Sequence, residues 1–416
     1  MSTESARTCV AAPTFIQTVK TFPVTVVMLL FFTLVIRFSY FMAWPFLGII
    51  MTRDYQMSPI AIGLSMTGSA LLAVILGIYG GKVSDSLGRR GILSLGCAFS
   101  FVGYALLALA GNMGLFIAGL LTVGVCFAWV DPPMRALMSD LLGDKRRRAL
   151  ALQIRYYLIN LGAVTGPLVG IAWGLTSQKG TFLITALSYL PFLVWLLLFV
   201  PKGKMASTSG SNDPSVPLRK VLMIIARDKL FIAALLCSIL CSIVFVHYEA
   251  VVPLYLMMLD ADSAVPLITL ILVTNATTVL VAQIFLVRLL AQMAIAKRIL
   301  LGSTIFALSQ LGFLAIGNTD PVLWFSATVI FSIGEAILMP NLNILLDQLA
   351  PAEHRGAYMG ASSLQTLGIA IGPLIGGVLL TLTGSGVFIG TLFFSLLLGI
   401  IMFYSRTGIQ KRLQES

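Results

Sequence analysis

The chain has 416 residues, of which 58% are hydrophobic and only 10% charged, and its mean hydropathy is +0.98. So little polar surface excludes a water-soluble globule and makes lipid the solvent for most of the chain. The formal net charge of +11 invites nucleic acid or an acidic partner, so the placement of the cations matters more than their sum.

In chain order, residues 1–21 lack the compact charged, apolar and small-residue layout of a signal peptide and read as a short cytoplasmic tail. A helix needs about 20 mainly apolar residues to cross the hydrocarbon layer. Such runs recur at 22–51, 59–81, 91–110, 114–138, 149–175, 181–200, 230–258, 264–290, 298–317, 321–346, 357–382 and 386–404. All twelve read as helices, because unpaired backbone is too costly in lipid, and the short alternating segments of a barrel are missing. The segment 201–229, with its Ser207–Ser215 stretch, is the only long polar run, and residues 405–416 form a second cytoplasmic tail. The expected fold is therefore all-α and integral to the membrane, with six-helix bundles at 22–200 and 230–404.

The two bundles are alike. An offset of 208 pairs Tyr40 with Tyr248, Pro45 with Pro253, Arg90 with Arg298 and Pro132 with Pro340. From the fifth span an offset of 206 pairs Gly166-Pro-Leu-Val-Gly170 with Gly372-Pro-Leu-Ile-Gly376. Two like halves predict a pseudo-two-fold axis along the membrane normal, a cavity on that axis and alternating access to it.

With the N-terminus in the cytoplasm, the loops on that side and the tails carry Arg7, Lys20, Lys82, Arg89, Arg90, Lys145 to Arg148, Lys202, Lys204, Arg219, Lys220, Arg227, Lys229, Lys297, Arg298, Arg355, Arg406, Lys411 and Arg412. The opposite loops carry Arg53 and Lys179. This asymmetry follows the positive-inside rule, predicts both termini in the cytoplasm and removes the need for nucleic acid. The odd set Cys9, Cys97, Cys126, Cys237 and Cys241 argues against a disulfide framework. Cys237 and Cys241 share a helix face without His or carboxylate neighbours, so they read as packing residues, and no metal is expected. No GxxxxGK[ST] loop is present to serve an ATP-driven pump. Nor is there a nucleophile cluster to suggest an enzyme, or a soluble region to suggest a receptor, and no cofactor is implied.

Between the second and third spans lies Gly81-Lys-Val-Ser-Asp85-Ser-Leu-Gly88-Arg89-Arg90. Gly81 and Gly88 suit a tight turn, and Asp85 can sit at a helix end among basic partners. At the repeat position, Leu289 to Arg298, the Asp and both glycines are gone. The fifth span holds Gly162, Gly166, Pro167 and Gly170, and the eleventh Gly368, Gly372, Pro373, Gly376 and Gly377. Glycine at every fourth position makes a groove for close helix approach, and the proline bends the helix. The loop closely resembles the GxLxDRxGRR signature of the major facilitator superfamily, and both glycine-proline segments match its GxxxGPxxGG pattern. The resemblance implies the major facilitator fold and a latch of Gly81, Asp85, Gly88, Arg89 and Arg90 that holds the halves in the outward-facing state and releases on inward opening. In that superfamily the copy in the fifth span is similar to the antiporter motif of exporters.

Charged groups inside a span cost at least about 2.5–3.5 kcal/mol near the bilayer centre, so each is a functional candidate. Arg37 lies near the middle of the first span, Glu249 beside His247 in the seventh, and Glu335 near the middle of the tenth. A proton-coupled carrier needs a carboxylate that can load and release a proton as access alternates, and Glu249 and Glu335 qualify by position. Arg37 is their expected charge partner, and His247 a further candidate. Asp131 and Arg135 sit one turn apart in the fourth span, where Asp131-Pro-Pro133 is expected to break the helix; with Arg155 they are predicted to form a gating network. The family's LxxxRxxxG arginine is missing from the fourth span, where Gly119 and Leu120 stand nearby.

A pocket for a bulky, partly apolar ligand needs aromatic side chains around the axis. Tyr40, Phe41, Trp44, Phe245 and Tyr248 are the candidates, with the repeat pair Tyr40 and Tyr248 preferred. The run from Arg37 to Leu47 resembles proton-driven bacterial exporters of drugs or metabolites. The expected protein is thus a monomeric, multi-pass inner-membrane exporter of a small organic molecule against inward proton flow, with lipid as its surroundings. A dedicated exporter of one natural product, such as a siderophore, sugar or peptide, and a proton-coupled importer are the alternatives.

Overall fold

The computed structural model describes residues 21–142, 144–172, 179–201, 225–351, 358 and 361–415. Residues 1–20 of the expected first tail and most of the linker, including Lys202, Lys204, Arg219 and Lys220, lie outside it, as do the side chains of residues 78–86. The helices are α1 (Val24–Ala43), α2 (Leu47–Tyr55), α3 (Pro59–Leu109), α4 (Met113–Leu141), α5 (Lys145–Ala172), α6 (Gly180–Phe199), α7 (Lys229–Leu259), α8 (Ala261–Leu289), α9 (Ile295–Ala315), α10 (Pro321–Leu349), α11 (Thr366–Thr383) and α12 (Val387–Glu415).

Two local departures from the expected spans follow from backbone chemistry. The first span is α1 and α2 joined by a 3-10 turn at Trp44–Phe46, where Pro45 has no N–H to continue an α-helix. The second and third spans are the arms of α3, which turns at Gly88 with φ 74° and ψ 167°, a region that suits glycine. By contrast, α4 runs unbroken through Pro132 and Pro133, so the expected break at Asp131-Pro-Pro is corrected. Pro133 leaves the Trp129 carbonyl without its helical donor. That carbonyl lies against Gly96 of α3, where a Cβ would come within 2.7 Å of its oxygen, and the neighbouring helix supports the proline-bearing segment. The twelfth helix also passes the expected end at 404 and continues to Glu415.

Ten described segments are long and apolar enough to cross a membrane, and one of them, Ser363–Gln414, contains both α11 and α12. The fifth crossing, α5, does not qualify on its own because Arg155, Asn160 and its glycines dilute the apolar run. Its crossing depends on neighbours that cover those groups.

Pairing within the halves repeats. In the first, α1 packs on α5 and α6, and α3 on α4 and α6; in the second, α7 packs on α11 and α12, while α9 packs on α10 and α12. The same operation relates the contacts between halves, α3 with α11 and α5 with α8. The protein is an all-α membrane fold of two pseudo-symmetric six-helix bundles. Aromatic side chains fill each half: Tyr104, Phe116, Phe182 and Tyr189 in the first, and Tyr248, Phe306, Phe313, Trp324, Phe331 and Phe388 in the second.

At the end of the bundle away from residues 201 and 225, called here the far end, the halves touch backbone to backbone. A Cβ on Gly377 would lie 2.4 Å from the Pro59 carbonyl oxygen, one on Gly63 2.5 Å from that of Pro373, and one on Gly48 2.7 Å from the Leu254 side chain. The same end is tied by Asp54, which pairs with Arg53 at 2.7 Å and Lys179 at 3.7 Å. Gly377→Val is therefore expected to cost this arrangement about 1–3 kcal/mol by overpacking. A thiol reagent tests it: Leu254→Cys, buried here, should label several-fold faster when Gly377→Val is added, and equal rates would show that the contact does not hold the ends together.

Candidate functional site

The close approach of α1 to α5 builds the first part of the site. A Cβ on Gly162 would lie 2.9 Å from the Arg37 carbonyl carbon, and one on Gly166 2.6 Å from the Phe38 carbonyl oxygen. With the backbones this near, Arg37 of α1 and Arg155 of α5 converge on Asp131 of α4. Arg37 Nη2 donates to Asp131 Oδ1 at 2.7 Å, Arg155 Nη2 donates to the same oxygen, and Arg135 Nε lies 3.3 Å from Oδ2. The expected network of Asp131, Arg135 and Arg155 forms, and Arg37 belongs to it. Arg155 is 7% exposed and its Nε has no hydrogen-bond partner among the described residues. A cavity opens beside these groups, lined by Thr33, Arg37, Tyr40, Asp131, Met134, Arg155 and Tyr189 among others.

The second half presents carboxylates to the first. Glu249 of α7 is half-buried and has no hydrogen bond or ion pair among the described residues; Arg37 and Tyr40 are within its electrostatic reach. Glu335 of α10 accepts a hydrogen bond from Asn275 Nδ2 of α8 at 2.7 Å and feels the charge of Glu249. Asn275 also donates to Ser332 at 3.0 Å, which fixes its amide. Arg37 spends its direct bond on Asp131 and acts on Glu249 through its charge alone. Asn275 was missed in the sequence, although a polar amide in the apolar run of the eighth span was signal enough.

The aromatic candidates separate. Tyr40 stacks on Trp44 at 5.4 Å, meets Phe41 edge-on at 5.1 Å and lies 5.7 Å from the Arg37 guanidinium. Phe41, Trp44 and Phe245 are half-buried. Tyr248 is not a cavity residue: it is 2% exposed, stacks on Phe331 at 4.3 Å and donates its hydroxyl to the Ile271 carbonyl, inside the second half. Repeat pairing equates backbone positions, not the spaces the side chains enter. His247 is also turned away from Glu249, buried against Gly376 of α11 and Phe388 of α12, with Nε2 unpartnered among the described residues.

The glycine-proline segment of α11 mirrors that of α5, with one further duty. Gly368, Gly372 and Gly376 face α7, while Pro373 and Gly377 meet α3 of the other half; Gly170 of α5 is buried. In the loop, Arg89 pairs with Asp140 at 3.2 Å, and Arg90 donates to the carbonyls of Leu197 and Val200. These bonds tie α3 to α4 and α6 within one half. The side chains at Gly81 and Asp85 lie outside the described ones, so the latch between halves rests on the sequence.

Twelve crossings in two like halves, with a charge-lined cavity inside the first, define a multi-pass membrane carrier. The profile of the Major Facilitator Superfamily matches residues 29–365, and the chain belongs to that superfamily. It is 29% identical over 352 residues to the uncharacterized MFS-type transporter YqjV of Bacillus subtilis (strain 168), covering 84% of this chain and 85% of the relative. A Na(+), Li(+), K(+)/H(+) antiporter of Planococcus maritimus is 24% identical over 368 residues, covering 81% and 85%. The multidrug resistance protein MdtH of Shigella dysenteriae serotype 1 (strain Sd197) is 25% identical over 355 residues, covering 84% and 83%. Among solved structures, a POT family transporter in complex with 5-aminolevulinic acid superposes with a TM-score of 0.76 at 19% identity, covering 93% of this chain and 97% of that one. That likeness shows the fold.

Removing Asp131 leaves buried Arg155 and half-buried Arg37 together without their anion. Asp131→Asn is expected to cost about 3 kcal/mol or more, as for a buried pair broken on one side. Thermal unfolding in detergent checks it: Asp131→Asn should lower the midpoint clearly, and adding Arg155→Gln should recover part of the loss.

Proposed function

We propose that the protein is a secondary active transporter that exports a small, partly apolar organic molecule in exchange for protons by alternating access. The observation that carries the reading is Glu249, a half-buried carboxylate without a partner among the described residues, set between the halves within electrostatic reach of Arg37 and Glu335. Such a group is expensive in a membrane unless it works there. It can take a proton from one side and give it up on the other, because its charge is favoured or disfavoured by what stands opposite, and that changes as the halves rock. Asn275 holds Glu335 in place as a second acid of the pathway, and His247, packed between α11 and α12, is the less accessible candidate.

Tyr40, Trp44 and Phe41 supply the apolar wall for the cargo. The relatives named for multidrug resistance and cation/proton antiport agree with export coupled to protons. The cation asymmetry along the sequence supports a cytoplasmic-membrane location with both termini inside. In that orientation the contact of Pro59 with Gly377 and of Gly48 with Leu254 closes the outer side, and the cargo site is reached from the cytoplasm. We place the boundary of the halves at 201–229, and the monomer as the working unit.

Purified protein in liposomes with an internal pH dye gives the test. Candidate drugs and metabolites are added across a pH gradient, and cargo movement is followed in parallel. An active compound should move protons, and Glu249→Gln should reduce that flux at least about tenfold, with a smaller loss for Glu335→Gln. Cargo transport with no accompanying proton movement would overturn proton coupling.

A further inference from the structure

The cavity in the first half is built round cations that its own side chains do not neutralise. Among the described residues, Asp131 is the one carboxylate paired with Arg37, Arg135 and Arg155. The Arg135 side chain is 53% exposed, whereas those of Arg37 and Arg155 are 20% and 9% exposed and line the cavity. One aspartate against this enclosed pair leaves one positive charge over, where uncompensated charge is costly. Each guanidinium has five N–H donors, and Asp131 takes a hydrogen bond from one nitrogen of each. Arg155, more than nine-tenths buried, keeps Nε without an acceptor among the described residues. A charged donor is among the costliest groups to bury unsatisfied, so an acceptor supplied through the cavity gains more here than in water.

The rest of the lining narrows what that acceptor is. Tyr40 and Tyr189 bring aromatic rings, and Ile36 and Met134 are apolar. Such walls suit a carboxylate carried on an apolar skeleton better than a strongly hydrated inorganic anion. The cavity holds about 30 Å³ for the centres of water-sized spheres, against the roughly 10–15 Å³ that one water needs, which is room for a head group and not for a whole organic molecule. Tyr40 in turn stacks on Trp44, so the aromatic wall continues past the cavity.

We infer that this cavity is a carboxylate subsite, in which Arg155 and Arg37 hold the head group of an apolar organic acid whose skeleton lies along Tyr40 towards Trp44. A guanidinium and a carboxylate match in two parallel N–H···O bonds, and one negative charge closes the balance of Arg37, Arg155 and Asp131. On the carrier reading above that acid is the cargo, which makes apolar monocarboxylates the substrate class; the subsite does not depend on proton coupling.

Equilibrium binding to the purified full chain in phosphatidylcholine nanodiscs, with no gradient, tests the inference. The probe is radiolabelled 2-naphthoate, read against empty nanodiscs; 2-naphthamide removes its charge and 2-naphthylmethylammonium reverses it. Naphthoate should bind, and the amide and the ammonium should each compete at least about tenfold worse than unlabelled naphthoate, the scale of a lost charge-assisted bond. Arg155→Gln should weaken binding by about tenfold or more. Should that variant fail to purify, Arg155→Lys keeps the charge beside Asp131 but loses the fork, and should still weaken binding several-fold. Inorganic phosphate and short-chain phosphatidylglycerol, each in large excess, should displace little of the probe. No naphthoate binding, an amide that competes as well as the acid, or Arg155 variants that bind like the parent would each overturn the inference. Full displacement by phosphate or by phosphatidylglycerol would also overturn it, and assign the arginines to an inorganic anion or a lipid head group. Naphthoate binding without its transport in liposomes would support the subsite and sink the carrier reading of it, whereas export of neutral compounds by a chain that binds no acid would do the reverse.

Discussion

Most of the site depends on the approach of α1 to α5 at Gly162 and Gly166. In lipid the backbone satisfies itself within each helix, so helices gain specificity where small residues let them touch and where polar groups must find each other. A side chain at Gly162 would press on the carbonyl carbon of Arg37 itself, and the glycine therefore sets how near that arginine stands to α5. Arg155, two turns earlier on α5, then reaches the same carboxylate oxygen as Arg37. The motif read as packing in the sequence is thus also the element that assembles the charge cluster. A larger residue there would separate the arginines from Asp131 before it touched any cargo.

The same contact is made in the second half by Gly368, Gly372 and Gly376 against α7, but nothing comparable is built on it. Under the repeat offsets, Arg37, Asp131 and Arg155 correspond to Phe245, Met339 and Ala361, while Glu249 and Glu335 correspond to Phe41 and Phe127. Wherever one half is charged at these places, the other is apolar. The duplicated scaffold kept its helix contacts, which any two-fold carrier needs to rock, and gave its chemistry to opposite sides. Charge separation across the axis is therefore a property of the diverged pair, invisible in either half alone.

The spans, the linker and both glycine-proline grooves were legible because lipid imposes length and composition directly, and Gly88 marked the turn inside α3. The network around Asp131 was legible only in part. Asp131 and Arg135 lie one helical turn apart, and proximity of the fourth and fifth spans suggested Arg155, whereas the bond from Arg37 needs the relative rotation of α1 and α4, which periodicity does not set. Rotation also explains Tyr248 and His247. A helix covered on all sides has no apolar face to orient it, and α7 buries Val246, His247 and Tyr248 in succession while leaving Glu249 half-covered. The proline pair failed as a break signal because that rule assumes water as the alternative partner; in the bundle, the freed carbonyl rests against Gly96 of the adjoining arm.

The opposed charges also bear on how the halves move. Attraction between charges on the two halves falls with distance and with anything that neutralises either side. At the far end the glycine contacts hold the halves together without charge, through Pro59 with Gly377 and Gly63 with Pro373. The two restraints act at different depths, so weakening the central one alters the balance between closing at one end and closing at the other. Under the coupling proposed above, a proton on Glu249 removes its attraction to Arg37, and does so more in one access state than in the other. That difference is what any ligand must supply to move a conformational equilibrium, and a carrier whose halves bore no opposed charges would have to find it elsewhere.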